Sequence, residues 1–254
     1  MITITFIGYG NVAQHLITAF LSHKALSIQQ IFVRNPDTKL TVPPEIECIS
    51  DWNALRPADV IIIAVSDGSI NEVSEKIPFK NQLVVHTSGV VSLQNLSANN
   101  RRGVFYPLQT FTKGKKVDFT EIPICLETEF ASDFEILEKL AQTISNETYA
   151  INSEQRKALH VAAVFVNNFV NHLYQMGNEI CAEHQIPFSI LQALITETAL
   201  KINTLTPIEA QTGPAKRNDQ STINAHLDFL NSDENKKNIY TLLTQSIQSY
   251  GKKL

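Results

Sequence analysis

The run Met1-Ile2-Thr3-Ile4-Thr5-Phe6-Ile7 passes without a break into Gly8-Tyr9-Gly10-Asn11-Val12-Ala13, and the next apolar residues fall at Leu16, Ile17 and Phe20. A β-branched run, a turn with two glycines and an amphipathic helix, in that order, make a strand–turn–helix unit. Its chemistry is backbone chemistry. Gly8 permits the tight turn, Gly10 lets the main chain approach a ligand closely, and small Ala13 lets helix and strand pack together. The free N–H groups at such a helix start suit an anion, and the spacing suits a pyrophosphate.

Similar β-branched runs alternate with helical patterns up to about residue 150, as in a parallel sheet with crossover helices. The expected strands are Ile2–Ile7, Gln30–Val33, Glu45–Ile49, Val60–Val65, Leu83–His86, Val104–Tyr106, Ile122–Leu126 and Thr148–Ile151. Several, VIIIAV and LVV above all, are apolar without alternation, as strands covered on both faces are. After Asn152-Ser153, a candidate helix cap, only helical periodicity remains. Helices are expected over Glu154–Glu183, Pro187–Leu205, Thr222–Leu230 and Glu234–Tyr250. The fold class is therefore α/β: an N-terminal doubly wound parallel sheet of Rossmann type over residues 1–151, then an all-α C-terminal domain over 152–254. The stretch AAVFVNNFVNHLYQM has more apolar surface than a small bundle covers, which points to homodimerisation through the helical half.

Composition narrows the function classes. The 254 residues carry a formal net charge of −4, and the only basic clusters are isolated pairs such as Arg101-Arg102 and Lys252-Lys253, so a nucleic-acid partner is not expected. The longest strongly apolar run, Val60 to Val65, is far below the roughly 20 residues that span a bilayer, so no membrane role is expected. MITITFIGYG has no basic leader and reads as a strand from the start. The three cysteines, Cys48, Cys125 and Cys181, fit neither a disulfide framework nor a zinc motif, which suits a reducing cytoplasm. No catalytic triad, phosphate-binding lysine loop or metal-ligand spacing occurs, so a metal is not expected.

The second strand ends Val33-Arg34-Asn35, where an NAD site normally places a carboxylate for the ribose hydroxyls. The Arg34 guanidinium, with Asn35 beside it, suits a 2′-phosphate, so NADP(H) is expected over NAD. The fourth strand runs out through Val65 and Ser66 and the fifth through Thr87 and Ser88, both toward the carboxyl edge where a nicotinamide and its substrate would lie.

In the helical half, Lys157, His160, Asn167, Asn168 and Asn171 fall on one side of a regular helix at roughly 100° per residue. A polar ridge in an apolar helix needs an internal network or a wet cleft. Facing a cleft, His160 or Lys157 could give a proton and Asn168 could orient a carbonyl or imine. In Thr212-Gly213-Pro214-Ala215-Lys216-Arg217-Asn218-Asp219, Arg217 could clamp a carboxylate, with Asp219 fixing its pose and Asp219, Ser221 or Thr222 capping the next helix. Tyr106-Pro107-Leu108-Gln109-Thr110-Phe111 could line the same cleft.

On GYGNVA, AVSD, HTSG, PLQTF, HVAAVFVNN and TGPAKRND, the chain resembles, over essentially its whole length, the oxidoreductases with an N-terminal Rossmann-like domain and a C-terminal DUF2520 domain. These are related to pyrroline-5-carboxylate reductases and the 6-phosphogluconate-dehydrogenase-like group. The resemblance implies cofactor contacts at Gly8, Gly10, Asn11, Val12 and Arg34, and a substrate cleft around Ser88, Gln109, His160, Asn168, Arg217 and Asp219. Two positions depart from the pattern: Tyr106 stands where such sequences usually have His, and Asn218 where Gly usually sits.

The expected activity is NADP-dependent reduction of a small carboxylate-bearing ketone or imine, such as ketopantoate, another 2-keto acid or a cyclic imino acid. His160, Asn168 and Ser88 are the catalytic candidates; Gln109, Arg217 and Asp219 would bind substrate, and Gly8, Gly10, Asn11, Val12, Arg34, Asn35, Val65 and Ser66 the cofactor. A non-catalytic NADP sensor or scaffold, for which Tyr106 argues, and a deazaflavin-linked oxidoreductase are the competing expectations.

Overall fold

A computed structural model of the chain describes residues 1–251. Eight strands, β1 (Ile2–Ile7), β2 (Leu26–Phe32), β3 (Glu47–Ile49), β4 (Val60–Ile63), β5 (Leu83–His86), β6 (Arg101–Pro107), β7 (Ile124–Thr128) and β8 (Thr148–Ala150), form one sheet in the order β3-β2-β1-β4-β5-β6-β7-β8. Every expected strand is present, with ends shifted by a few residues. Every neighbouring pair is parallel except β6 and β7. The doubly wound sheet expected is present, with this one antiparallel pairing near its β8 edge. A parallel return needs a crossover, usually a helix, and residues 108–123 contain none, so β7 comes back antiparallel.

Period-2 alternation divides the central strands between two cores. Ile4, Phe6, Ile62 and Val85 face helices α1 (Asn11–Leu21) and α3 (Ala131–Gln142), while Ile7, Ile61, Ile63 and Val84 face Ile70 of α2 (Ile70–Glu75) and Ile77 beyond it. All four residues of β4 are fully buried, which accounts for its unbroken apolar sequence. On α1 the stripe Ala13, Leu16, Ile17, Phe20 is buried, and the Phe20 ring meets Phe105 edge-on at 6.1 Å between centroids. Each such side chain contributes roughly 1.5–3 kcal/mol by leaving water.

Helix α4 (Ser153–Ala163) starts with a capping box: the Asn152 side chain accepts from Gln155 N at 2.9 Å, and the Gln155 side chain accepts from Asn152 N at 2.9 Å. It does not run on regularly to Glu183. A π-helical turn, Val164–Phe169, separates it from α5 (Val170–Glu183). A π turn adds one residue to the helical count, so side chains beyond it are rotated by about 100° from a regular helix. The single ridge from Lys157 to Asn171 is therefore corrected: it assumes a regularity that ends at Val164.

Two compact units divide the chain between Asn167 and Asn168. The sheet itself ends near residue 151, but α4 stays with the first unit, because Arg156 on its second turn is 1% exposed and pairs with Glu127 of β7. In the second unit the expected helix over Pro187–Leu205 is broken into a 3-10 turn at Phe188–Leu191, α6 (Gln192–Leu200) and another 3-10 turn at Lys201–Asn203. Short α7 (Pro207–Ala210) and α8 (Pro214–Arg217) precede α9 (Gln220–Phe229) and α10 (Glu234–Gly251). The Lys236 ammonium joins α10 to α5, reaching Glu179 at 3.1 Å and Glu183 at 3.5 Å, and these carboxylates with Asp233 hold it charged far above the usual lysine range. The basic pair Lys252-Lys253 lies outside the described residues. Among the described residues no helix is long and apolar enough to cross a membrane.

Candidate active site

A cleft of about 710 Å³ opens at the carboxyl ends of β1, β2 and β4, where the strand order reverses. Gly8, Gly10, Asn11 and Val12 reach it from the turn after β1, Arg34 and Asn35 from the end of β2, and Val65 and Ser66 from the end of β4. All eight residues expected to meet a cofactor thus lie around one space.

The two glycines differ in what they do. Gly8 has φ +103°, and a Cβ there would lie 2.5 Å from the backbone oxygen of Ala64, so the turn itself excludes a side chain. Gly10 has an ordinary extended backbone, φ −74°, and the nearest atom to a Cβ would be 4.0 Å away. Its glycine is not demanded by packing; it keeps the approach to the helix start clear. Gly10 is also the N-cap of α1 and offers no side-chain cap, which leaves the first-turn N–H groups to an outside acceptor. The Asn11 side chain does not join them: it donates to Phe111 O at 3.2 Å. His15 Nε2, 2.9 Å from Lys115 O, holds the following loop against α1 as well.

The charge pattern is one-sided. Arg34 and Lys76 line the cleft, and Glu72 is the one carboxylate among its lining residues. Glu72 is already paired with Lys76 at 2.5 Å, and that hydrogen bond, with Arg34 adding to it, holds its pKa below the usual carboxylate value. Trp52 stacks on Phe32 at 4.0 Å and supplies an apolar wall. A nucleotide diphosphate with an additional phosphate fits these features: a backbone approach free of Cβ, uncapped helix N–H groups and the Arg34 cation, left over once Lys76 is paired with Glu72. Lys76 and Trp52 carry no signal in the sequence, since nothing local distinguishes them from surface residues.

A second cluster surrounds His160, half-buried on the last turns of α4. The Tyr106 hydroxyl, from β6, lies 3.1 Å from His160 Nδ1. Gly89 fits between them: a Cβ there would come within 2.4 Å of His160 Nδ1 and 2.9 Å of Tyr106 Cζ. Ser88 is 6% exposed, and its oxygen accepts from Val90 N at 3.2 Å and Val91 N at 3.1 Å, which leaves its O–H as the group free to donate. Ser88 N donates to Nδ1 of His86, whose burial pushes its pKa down to about 3, so it stays neutral. Beneath the loop, Arg156 bonds to Glu127 and, through Nη2, to Val91 O at 2.5 Å and Ser153 Oγ at 3.3 Å. The pair locks the loop after β5 to the helix that carries His160. An arginine on an amphipathic helix reads as solvated in sequence, which is why neither partner stands out there.

Two more of the expected residues belong to the first unit. Gln109 is exposed and its side chain accepts from its neighbour Thr110 N at 2.8 Å. Lys157 is exposed on α4. In the second unit, Asn168 is exposed on the π turn and Arg217 is exposed at the end of α8, with no salt bridge among the described residues. Asp219 is the N-cap of α9, accepting from Thr222 N at 3.1 Å and Thr222 Oγ1 at 2.8 Å, and these bonds lower its pKa. It is thus bonded to Thr222, and the nearby Arg217 charge adds to the lowering. Asn218 adopts the left-handed conformation, φ 55° and ψ 37°, that a glycine there would take.

A glycine turn opening on the switch point of a mostly parallel sheet, followed by helices, defines the class: a Rossmann-like α/β protein. Residues 3–89 match the family described as NADP oxidoreductase, coenzyme F420-dependent, and residues 122–247 the domain of unknown function DUF2520. A Bacteroides fragilis protein provisionally named an NADP oxidoreductase is 37% identical over 98% of this chain and 98% of its own, with a TM-score of 0.89. The chain belongs to this family of NADP oxidoreductases with a C-terminal DUF2520 domain. At lower identity the likeness is one of fold: a Thermotoga maritima protein at 19% and TM-score 0.74, and the NADP-bound pyrroline carboxylate reductase of Plasmodium falciparum at 11% and 0.63, each over 98% of both chains. No curated protein matches.

Proposed function

We propose that the protein uses NADPH to reduce a small carboxylate-bearing ketone or imine, either a 2-keto acid such as ketopantoate or a cyclic imino acid. When bound, the dinucleotide supplies the hydride. The observation that carries the reading is the cleft's charge pattern: Arg34 lines it with no salt bridge among the described residues, and its one lining carboxylate, Glu72, is already paired with Lys76. A doubly charged 2′-phosphate suits that setting, and the two ribose hydroxyls of NAD find no free carboxylate there.

In this reading Gly8, Gly10 and the N–H groups of Asn11 and Val12 hold the pyrophosphate, Arg34 and Asn35 hold the 2′-phosphate, and Val65 and Ser66 flank the remaining nucleotide. His160 donates a proton to the reacting oxygen or nitrogen, and Ser88 and Asn168 orient that atom. Arg217 clamps the substrate carboxylate. Gln109 and Asp219 are assigned to the substrate side, Asp219 through the turn it caps. Residues 1–151 serve as the nucleotide domain and 152–254 as the substrate and dimerisation domain. Exposed Phe165 (62%), Val166 (73%), Ile190 (67%) and Leu194 (63%) support pairing of two helical halves as a homodimer. Three free thiols accord with a reducing cytoplasm.

Calorimetry with NADPH and NADH, on the native protein and Arg34→Ala, tests the cofactor assignment. Arg34→Ala should weaken NADPH by about tenfold or more and leave NADH nearly unchanged. Equal loss of both would sink the 2′-phosphate assignment. Absorbance loss of NADPH across a panel of 2-keto and cyclic imino acids then tests turnover, and binding without turnover would favour a sensor.

A further inference from the structure

A second cavity, of about 630 Å³, runs along α1. Its floor belongs to the larger core: Ile17 of α1, Phe119 and Ile144 line it, and all three are buried. Residues 114–120 form its other wall, and hydrogen bonds hold that wall in place. His15 on α1 has Nε2 at 2.9 Å from Lys115 O and Nδ1 at 2.7 Å from Asn11 O. Its ring lies 5.0 Å from that of Phe111, which stacks on Phe119 at 5.8 Å. At the far end of the segment, Asn146 N donates to Thr120 O at 3.0 Å. A groove with fixed walls and this volume has the dimensions of a small-molecule site, since ligand pockets measure roughly 300–1,000 Å³.

The charge around the groove is one-sided. Lys115 and Lys116 line it, and neither ammonium forms an ion pair among the described residues. The one lining carboxylate, Asp118, accepts from Thr120 N at 2.9 Å and Thr120 Oγ1 at 2.7 Å, and these bonds hold its pKa below the usual carboxylate value. The His23 ring, also at the groove, has no hydrogen-bond partner among the described residues. Unpaired donors around an apolar floor favour a ligand with a charged end and a hydrocarbon body. A bare inorganic anion would leave the floor wet, and a neutral molecule would leave the ammoniums unanswered.

Tyr9, between the two glycines of the first turn, borders both this groove and the dinucleotide cleft. Its carbonyl accepts from Gln14 Nε2 at 3.0 Å, and its hydroxyl accepts from Thr41 N at 3.1 Å and donates to Thr41 O at 3.4 Å. Held at its backbone and at the tip of its ring, Tyr9 partitions the two spaces, and among the described residues no other lines both. We propose that the groove between α1 and residues 114–120 is a second ligand site, separate from the dinucleotide cleft, for a small organic anion: a carboxylate or phosphate monoester carried on an apolar body. Lys115 and Lys116 meet the anionic end, and Ile17, Phe119 and Ile144 take the hydrocarbon. None of these residues is assigned to cofactor or substrate, so the site stands apart from the reductase reading.

Phenyl phosphate is the probe, with benzyl alcohol as its uncharged counterpart and inorganic phosphate as the anion without a body. Binding is followed at constant pH by NMR of histidine ring carbons in the full-length protein, with His15 and His23 as the reporters, assigned through His15→Gln and His23→Gln. Phenyl phosphate should shift both signals saturably with a Kd of about 1 mM or tighter, and benzyl alcohol and inorganic phosphate should each bind at least about tenfold more weakly. Lys115 and Lys116 are exposed, so replacing both by alanine leaves the fold intact. Lys115→Ala with Lys116→Ala should weaken phenyl phosphate by about tenfold and leave benzyl alcohol unchanged. Added NADP+ should not displace the probe, because the cleft lies beyond Tyr9. Absence of saturation at about 10 mM, equal binding of inorganic phosphate, an unchanged Kd in the double variant, or displacement in proportion to NADP+ would each overturn the proposal.

Discussion

Arg156 on α4 and Glu127 on β7 form an ion pair in which the arginine side chain is 1% exposed and the glutamate 15%, and this pair sets the helix bearing His160 against the sheet. Buried pairs are costly to break from one side. Glu127→Ala should destabilise the protein by about 3–5 kcal/mol, because it strands the guanidinium in a dry site. Replacing both partners, Glu127→Met with Arg156→Met, should recover most of that loss in urea unfolding. A single-mutant cost below about 1 kcal/mol would mean that water reaches Arg156 and that the pair does not set the helix.

The two glycines of the first turn should separate stability from affinity. Gly8→Ala puts a Cβ 2.5 Å from Ala64 O on a backbone with φ +103°, so it should lower both the unfolding midpoint and NADPH binding. Gly10→Ala meets nothing closer than 4.0 Å and should leave the midpoint within about 0.5 kcal/mol while weakening NADPH. Equal effects of Gly10→Ala on both would show that this position shapes the turn instead of the approach to it.

Acid should unfold the protein partly through His86. Its pKa is depressed to about 3 by burial, against an ordinary 6.5, so the unfolded chain takes up a proton that the folded one refuses. The contribution is whole above pH 6.5 and is lost as pH falls from there toward 3, at up to about 1.4 kcal/mol per pH unit. His86→Asn should flatten that part of the stability curve. An unchanged slope in the variant would show that His86 is not the group responsible.

At the loop between α8 and α9 the backbone and the cap should separate. Asn218→Gly should be nearly neutral, because φ 55° suits glycine, and Asn218→Val should cost about 1–2 kcal/mol. Asp219→Ala should lower the thermal midpoint and Asp219→Ser should restore it, since either oxygen can cap Thr222 N. If Asp219→Ser stays as unstable as the alanine variant, the carboxylate charge matters and not the cap.

Local pattern made much of this protein legible. Strand–glycine–helix order placed the turn after β1, unbroken apolar runs marked the strands buried on both faces, and Arg34 followed β2 where its position could be counted in residues. These are short-range facts, written in neighbouring side chains and in backbone dihedral preferences. The same locality explains the failures. The π turn at Val164–Phe169 leaves no compositional mark, so the local pattern reads as a helix of constant pitch. The antiparallel β7 depends on what residues 108–123 do not form.

Lys76, Trp52, Tyr106, Glu127 and Arg156 acquire their roles only when chain segments far apart in sequence pack together. Their types alone read as surface charge or as core, and Glu127 and Arg156 are 29 positions apart. The amino-acid order therefore determined the elements, the glycine turn and the cation at the end of β2, because each depends on a few adjacent residues. Tertiary packing alone decided which ring nitrogen of His160 meets the Tyr106 hydroxyl and which arginine is dry, because desolvation and hydrogen-bond partners are properties of the neighbours that folding brings.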